Sequence, residues 1–240
     1  MLKLAYQKYQ RKAAPYFFIA PFFIAYAIFG AYPALHGLWL SFFETQGLKT
    51  TSFVGFGNYA ELLKDPRFVR ALGNTTYYAA GSIFVILPVA LAIALAINSK
   101  LVGNKGFFTT AYFLPQVTSS IVVGIMFTMI FDYDYGMLNY YLSRIGIQGY
   151  RWLRIPQFAI PSLILLGLWR YTGVNSLYFL SGLQGIPDDI YEAATIDGAN
   201  WWDEFIYITL PLLRPIGLFI VVQAIICSYN LFAEPYILGG

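Results

Sequence analysis

Five stretches of this 240-residue chain stay predominantly apolar for the roughly 20 residues that a helix needs to cross the hydrocarbon of a bilayer. They are 16–42, 74–98, 107–131, 158–183 and 211–231. Polar residues gather between them: a basic start at 1–15, a segment at 44–73, a short loop with Lys100 and Lys105, a segment at 132–157, and an acidic connector at 184–210. The run from 16 onward is too long for a signal-peptide core and has no small-residue cleavage site, so it reads as the first span. The pattern predicts an all-α, polytopic membrane protein, its transmembrane domain occupying 16–240 and a helix-turn-helix connector joining the last two spans. The end on Gly239-Gly240, just after a span, leads us to expect a sixth span beyond the given residues.

Composition agrees with lipid as the solvent. The chain is 58% hydrophobic and 11% charged, against about 25% charged for a soluble domain, and a soluble chain of this size cannot bury so much apolar surface. Its 19% aromatic share suits a protein with Tyr and Trp at two membrane interfaces. A net charge of +3 gives no basis for a nucleic-acid partner. A single cysteine, Cys227, excludes an internal disulfide and a cysteine metal cluster. A single histidine, His36, excludes paired-histidine metal sites, and reads as a packing or interfacial residue. Lys3, Lys8, Arg11 and Lys12 at the start, and Lys100 and Lys105 two spans later, place the N-terminus in the cytoplasm by the positive-inside rule. Counting passes from there puts 44–73 and 132–157 outside and 184–210 in the cytoplasm.

The acidic connector carries the clearest local signals. Pro187, Asp188 and Asp189 suit a helix start, and the run to Asp197 has no breaker. Gly198 can stop the helix in a left-handed conformation. Asn200 and Asp203 have capping-box spacing for a second helix, expected over 201–210 and ended by Pro211. Trp201 and Trp202 near the tip call for a protein partner. A helix lying on the membrane surface would be rich in Lys and Arg, and 184–210 has neither.

Polar groups within spans mark pathways. Pro115 is followed by Gln116, Thr118, Ser119 and Ser120. Trp169, Arg170, Tyr171 and Asn175 stand out in the fourth span. Gln223, Cys227 and Asn230 share one helical stripe in the fifth. Arg170, at mid-span, requires a partner within the bundle or an anionic substrate, such as a uronate oligosaccharide or a phosphorylated polyol.

The connector reads I-P-x-x-x-x-E-A-A-x-x-D-G-A, then F-x-x-I-x-L-P. This resembles the EAA loop of binding-protein-dependent ABC importer permeases, in the carbohydrate-uptake branch with the maltose, lactose and glycerol-phosphate permeases. The likeness extends to G-F-G-N-Y-A-E-L-L-K-D-P-R-F at 55–68, F-L-P at 113–115, G-x-L-N at 136–139 and L-F-x-E-P at 231–235. It covers nearly the whole chain in the family's order, and the family's pattern continues into one more span.

The resemblance implies a coupling helix seated in a cytoplasmic ATPase. Glu192 would pair with a basic residue there, Ala193, Ala194, Gly198 and Ala199 would permit close approach, and Asp197 would help hold the turn. The chain has no phosphate-cradling G-x-x-x-x-G-K-[ST] motif, so ATP and Mg²⁺ would be handled by the ATPase, with no cofactor in this chain. The implied partners are a homologous permease subunit, two ATPase subunits, an extracytoplasmic substrate-binding protein and a sugar or oligosaccharide. The membrane would be the cytoplasmic membrane of a bacterium or archaeon. Gln223, Cys227 and Asn230 fall at sugar-contacting positions of the maltose-type permease, and Asn230 keeps the side chain found there. An intramembrane enzyme would need a catalytic dyad or metal set within the spans, which these residues do not supply. A self-gating channel would leave the acidic helical connector unexplained.

Overall fold

The computed structural model describes residues 2–46, 49–99 and 102–239, with side chains from 14–44, 52–99 and 102–239. Lys100 and Gly240, on which two of the expectations above rest, lie outside the described residues, as do the side chains of the basic N-terminal residues. Residues 1–70 and 71–240 form two compact units.

In the first unit, a helical run covers Leu2–Tyr26, a wider π turn at Ala27–Ala31, and Tyr32–Leu40, together α1. A rung of rings, Tyr32, His36, Trp39 and Phe43, carries His36 as an aromatic packing partner. Strands β1 (Phe43–Gln46) and β2 (Lys49–Phe53) then pair antiparallel, a hairpin that the all-α expectation lacked. Its β-branched Thr45, Thr50 and Thr51 favour extended backbone. Helix α2 is Gly57–Lys64. Asn58 donates to the Ser41 and Phe43 carbonyls, and the Ser41 and Tyr59 hydroxyls share a hydrogen bond, tying α2 to the hairpin's start.

Helix α3 runs from Pro66 to Asn98 through a π turn at Ser82–Ile86. The second unit continues with α4 (Lys105–Val117), α5 (Ser120–Ile130), α6 (Met137–Arg144), α7 (Pro156–Gln184) and α8 (Asp188–Ile196). Next come α9 (Trp201–Leu212, with a π turn at Glu204–Thr209), α10 (Arg214–Tyr229) and α11 (Ala233–Gly239). All three π turns precede a proline in the same way. Tyr32, Leu87 and Leu210 each donate to the carbonyl five residues back, and Pro33, Pro88 and Pro211 follow directly. A proline ring collides with the carbonyl four residues before it; widening the turn moves that carbonyl aside and lets the helix continue. Pro211 therefore does not end α9 as expected, and the helix reaches Leu212.

Helix α7 is the hub. Its second half packs Phe179, Leu180 and Leu183 against Leu87, Ala90, Ala94 and Ile97 of α3 and Ile220 of α10. Its first half packs Leu163 and Leu166 with Tyr78, with Val123 and Phe127 of α5, and with Leu238 of α11. Small residues set the spacing: a Cβ on Gly167 would meet the Tyr78 hydroxyl, and one on Gly81 would meet Ile164. Helices in lipid gain little from the hydrophobic effect and depend on such close approach.

The spans differ from the sequence reading in three ways. The stretch at 107–131 is broken, α4 and α5 meeting at 92° across Thr118 and Ser119, and α9 and α10 bend by 66° at Leu213. Among the described residues, two helices are long and apolar enough alone to cross a membrane, Ala14–Leu40 and Pro66–Asn98, or four if each bent pair is one crossing. The 29-residue α7 is not among them, because its middle carries Arg170, Thr172, Asn175 and Ser176. Other helices surround it, and two of its buried hydroxyls bond back to its own backbone: Thr172 and Ser176 donate to the carbonyls four residues back. Finally, the residues after the fifth apolar stretch form a further short helix, α11. There Glu234 and Leu238 are buried, and Ile237 lies against Gly124.

The segment between α5 and α7 is clipped by one side chain. Asn139 donates to the Tyr133 and Tyr150 carbonyls and accepts from the Tyr150 amide and the Trp152 indole. We expect Asn139→Ala to cost about 3 kcal/mol, since it strands several buried polar groups at 1–3 kcal/mol each. Limited proteolysis checks this, with faster cleavage at 145–150; an unchanged cleavage rate would contradict the clip.

Candidate functional site

Two features stand apart from ordinary packing. The first is the connector. Helix α8 starts with Asp188 and Asp189 in its first turn, where carboxylates complement the helix dipole. It stops at Gly198, whose φ of +86° belongs to the left-handed region. Gly198 and Ala199 donate to the carbonyls of Thr195 and Ala194, closing the turn through backbone. The Asp197 side chain is exposed and makes no hydrogen bond among the described residues, so in this structure the turn is closed without it. Asn200 accepts from the Trp202 and Asp203 amides while Asp203 accepts from the Asn200 amide, a complete capping box. Tyr191 and Thr209 share a hydrogen bond across the two helices, and Thr195 donates to Glu204.

The connector is therefore a rigid wedge with both feet set in the core. Ile186 and Leu213, at its two ends, are buried with Leu87, Leu183 and Ile220. Its tip is open. Trp201 is stacked on Phe205 and packed edge-on by Trp202, yet the two tryptophans remain 57% and 62% exposed. Glu192 and Ala193 are exposed, Ala194 and Ala199 half-buried, and nothing lies within 4 Å of a Cβ built on Gly198. Glu192 makes no hydrogen bond or ion pair among the described residues.

The second feature is a buried polar cluster on α7. Arg170 donates to the Glu234 carboxylate at 2.5 Å and to the Thr118 carbonyl at 3.3 Å. Tyr171 donates to the same Glu234 oxygen at 2.9 Å, and Arg170 lies over the Tyr171 ring. Glu234 and Arg170 are 3% and 7% exposed. A charge at such depth costs several kcal/mol unless paired, and each group meets the other's need.

Ser119 is exposed at the break between α4 and α5, with Ser120 beginning α5. Trp169 is exposed on one side and touches Phe127. Asn175 and Asn230 donate to the carbonyls four residues back. Gln223 and Cys227 on α10, and Asn230 just past its end, are all exposed. No hydrogen bond joins Gln223 or Asn230 to Arg170 among the described residues.

Residues 86–240, which include every candidate site residue above, match the family described as binding-protein-dependent transport system inner membrane component. The chain belongs to this family. Among its relatives is the arabinooligosaccharides transport system permease protein AraP of Bacillus subtilis (strain 168), 39% identical over 231 residues, or 96% of this chain and 73% of that protein. The lactose transport system permease protein LacF of Rhizobium radiobacter is 37% identical over 221 residues, 91% of this chain and 74% of that protein. A solved chain from a bacterial ABC transporter involved in the import of the acidic polysaccharide alginate superposes with a TM-score of 0.78 at 25% identity, covering 98% of this chain and 83% of that one.

For this permease, sequence reasoning missed Glu234 as a site residue. Its signal was available: an arginine in mid-span needs a carboxylate, and L-F-x-E-P supplies one directly after the fifth apolar stretch.

Proposed function

We propose that this permease translocates a sugar or oligosaccharide across the cytoplasmic membrane, with its N-terminus in the cytoplasm and five crossings in the given residues. An extracytoplasmic binding protein delivers the substrate, and ATP hydrolysis in two separate ATPase subunits drives the cycle beside a homologous permease subunit. The observation that carries the reading is the wedge at 184–213: an acid, Glu192, without an ion pair among the described residues, and two exposed tryptophans on a capped tip whose feet are buried in the core. A rigid element gripped by closing ATPase subunits moves the helices at its feet, here α7 and α10, and rocking of helix bundles around a central site is how transporters alternate access. The names of the relatives support a carbohydrate substrate. The alternative of an anionic solute is not favoured, because Glu234 already matches the charge of Arg170.

The test purifies the complex through this chain and measures ATP hydrolysis with and without binding protein and a panel of neutral and uronate oligosaccharides. We expect an ATPase to co-purify and to be stimulated about tenfold by one neutral oligosaccharide with its binding protein, a shift of about 1.4 kcal/mol in the rate-limiting barrier. A chain that purifies without an ATPase would remove the reading. Stimulation by a uronate alone would move the substrate to the anionic class.

A further inference from the structure

Two of the places where the helices are interrupted meet at one guanidinium. Thr118 and Ser119 separate α4 from α5, and Asn230–Phe232 separate α10 from α11. Arg170 holds the Thr118 carbonyl on one side and Glu234, in the first turn of α11, on the other. A helix resists bending along its length, but a break is a hinge that absorbs backbone rotation. Tying two hinges to one side chain sets their mutual placement.

The closure is incomplete. Arg170 Nε and Gln116 Oε1, the latter two residues before Thr118, are buried without a hydrogen-bond partner. Buried polar atoms left unpaired carry a real cost. An arrangement that admits water would supply an acceptor to the first and a donor to the second. Ion pairing thus favours the closed arrangement and unmet hydrogen bonding opposes it, as suits an element that must open in each cycle. The proposed pathway residues lie alongside: Ser119 and Ser120 follow Thr118, and Asn230 is four residues before Glu234.

We propose that Glu234 is a positioning residue for translocation: through Arg170 it fastens the two interruptions together and closes the passage at that level, and the pair separates when the passage opens. This rests on the importer reading above.

The fastener is tested in the full complex. Glu234→Gln alone would leave Arg170 buried with no counter-charge and could unfold the chain. The main variant is therefore Arg170→Gln with Glu234→Gln, which removes both charges and keeps the shape, with Glu234→Asp as the conservative rescue. Cys227, exposed on α10, serves as the reporter. Its modification by a water-soluble maleimide is followed by mass spectrometry of its peptide, without nucleotide, alongside ATP hydrolysis without binding protein. We expect the double variant to label about fivefold faster and to hydrolyse ATP about fivefold faster without binding protein, as a shifted open–closed population requires. Glu234→Asp should remain near wild type. Unchanged labelling and unchanged basal hydrolysis in a folded double variant would overturn the proposal. A pair that only stabilises the fold would lower basal and stimulated hydrolysis together. Failure of binding protein to stimulate the wild type would count against the importer reading, while the labelling ratio would still decide the fastener.

Discussion

Replacing Gly173 with alanine is expected to lower the thermal unfolding midpoint of the purified permease by about 10 °C, the shift that about 3 kcal/mol produces in a domain of this size. Gly173 lies buried in α7 where α4 crosses it. A Cβ there would sit 1.7 Å from the carbonyl oxygen of Tyr112 and 2.4 Å from its carbon. Those are backbone atoms, so no side chain can rotate away, and α4 itself must retreat by more than an ångström. Overpacking of rigid cores typically costs 1–3 kcal/mol and sometimes more. The retreat also disturbs the Thr118 carbonyl six residues beyond Tyr112, which Arg170 holds. Gly217→Ala is the control: it lies in α10 with nothing within 4 Å of a built Cβ, so alanine's higher helix propensity should leave stability unchanged or slightly raised. Equal unfolding midpoints for the two variants, measured in the same detergent, would refute the close α4–α7 crossing.

Glu192→Ala is expected to abolish stimulated ATP hydrolysis, by about thirtyfold or more, while leaving the folded permease intact. The side chain is exposed and unpaired among the described residues, and alanine suits a helix better than glutamate does, so stability has nothing to lose. Truncating one partner of a charge pair desolvated at an interface costs about 2–5 kcal/mol, mostly through faster dissociation. Two measurements separate the cases: unfolding of the permease alone, and ATPase co-purification with stimulated turnover. Normal stability with lost coupling supports the wedge as the ATPase contact. Normal coupling would move that contact elsewhere on the connector, with Trp201 and Trp202 the next residues to truncate.

The connector was legible in the sequence because its determinants are local. The Gly198 stop and the Asn200–Asp203 box act over three to five residues, and the structure reproduces both. The apolar stretches were legible as helices for a similar reason, since length and composition alone mark them. Pro33, Pro88 and Pro211 were visible too, but not their accommodation. A proline can end a helix, kink it or widen the turn before it, and the packing on either side selects among these. The break between α4 and α5 shows the same limit. Pro115 pointed to the region, yet the chain turns at Thr118 and Ser119, where Arg170 holds the freed carbonyl.

By itself, then, the sequence determined the solvent, the helical class and the acidic wedge, each of which depends on composition or on neighbours a few residues apart. The tertiary structure alone decided that α7 is the central helix, that α4 crosses it at Gly173, and that Arg170 is matched by Glu234, 64 residues further on. A buried charge and a missing side chain state a need in the sequence. Which distant residue meets it depends on how the helices pack.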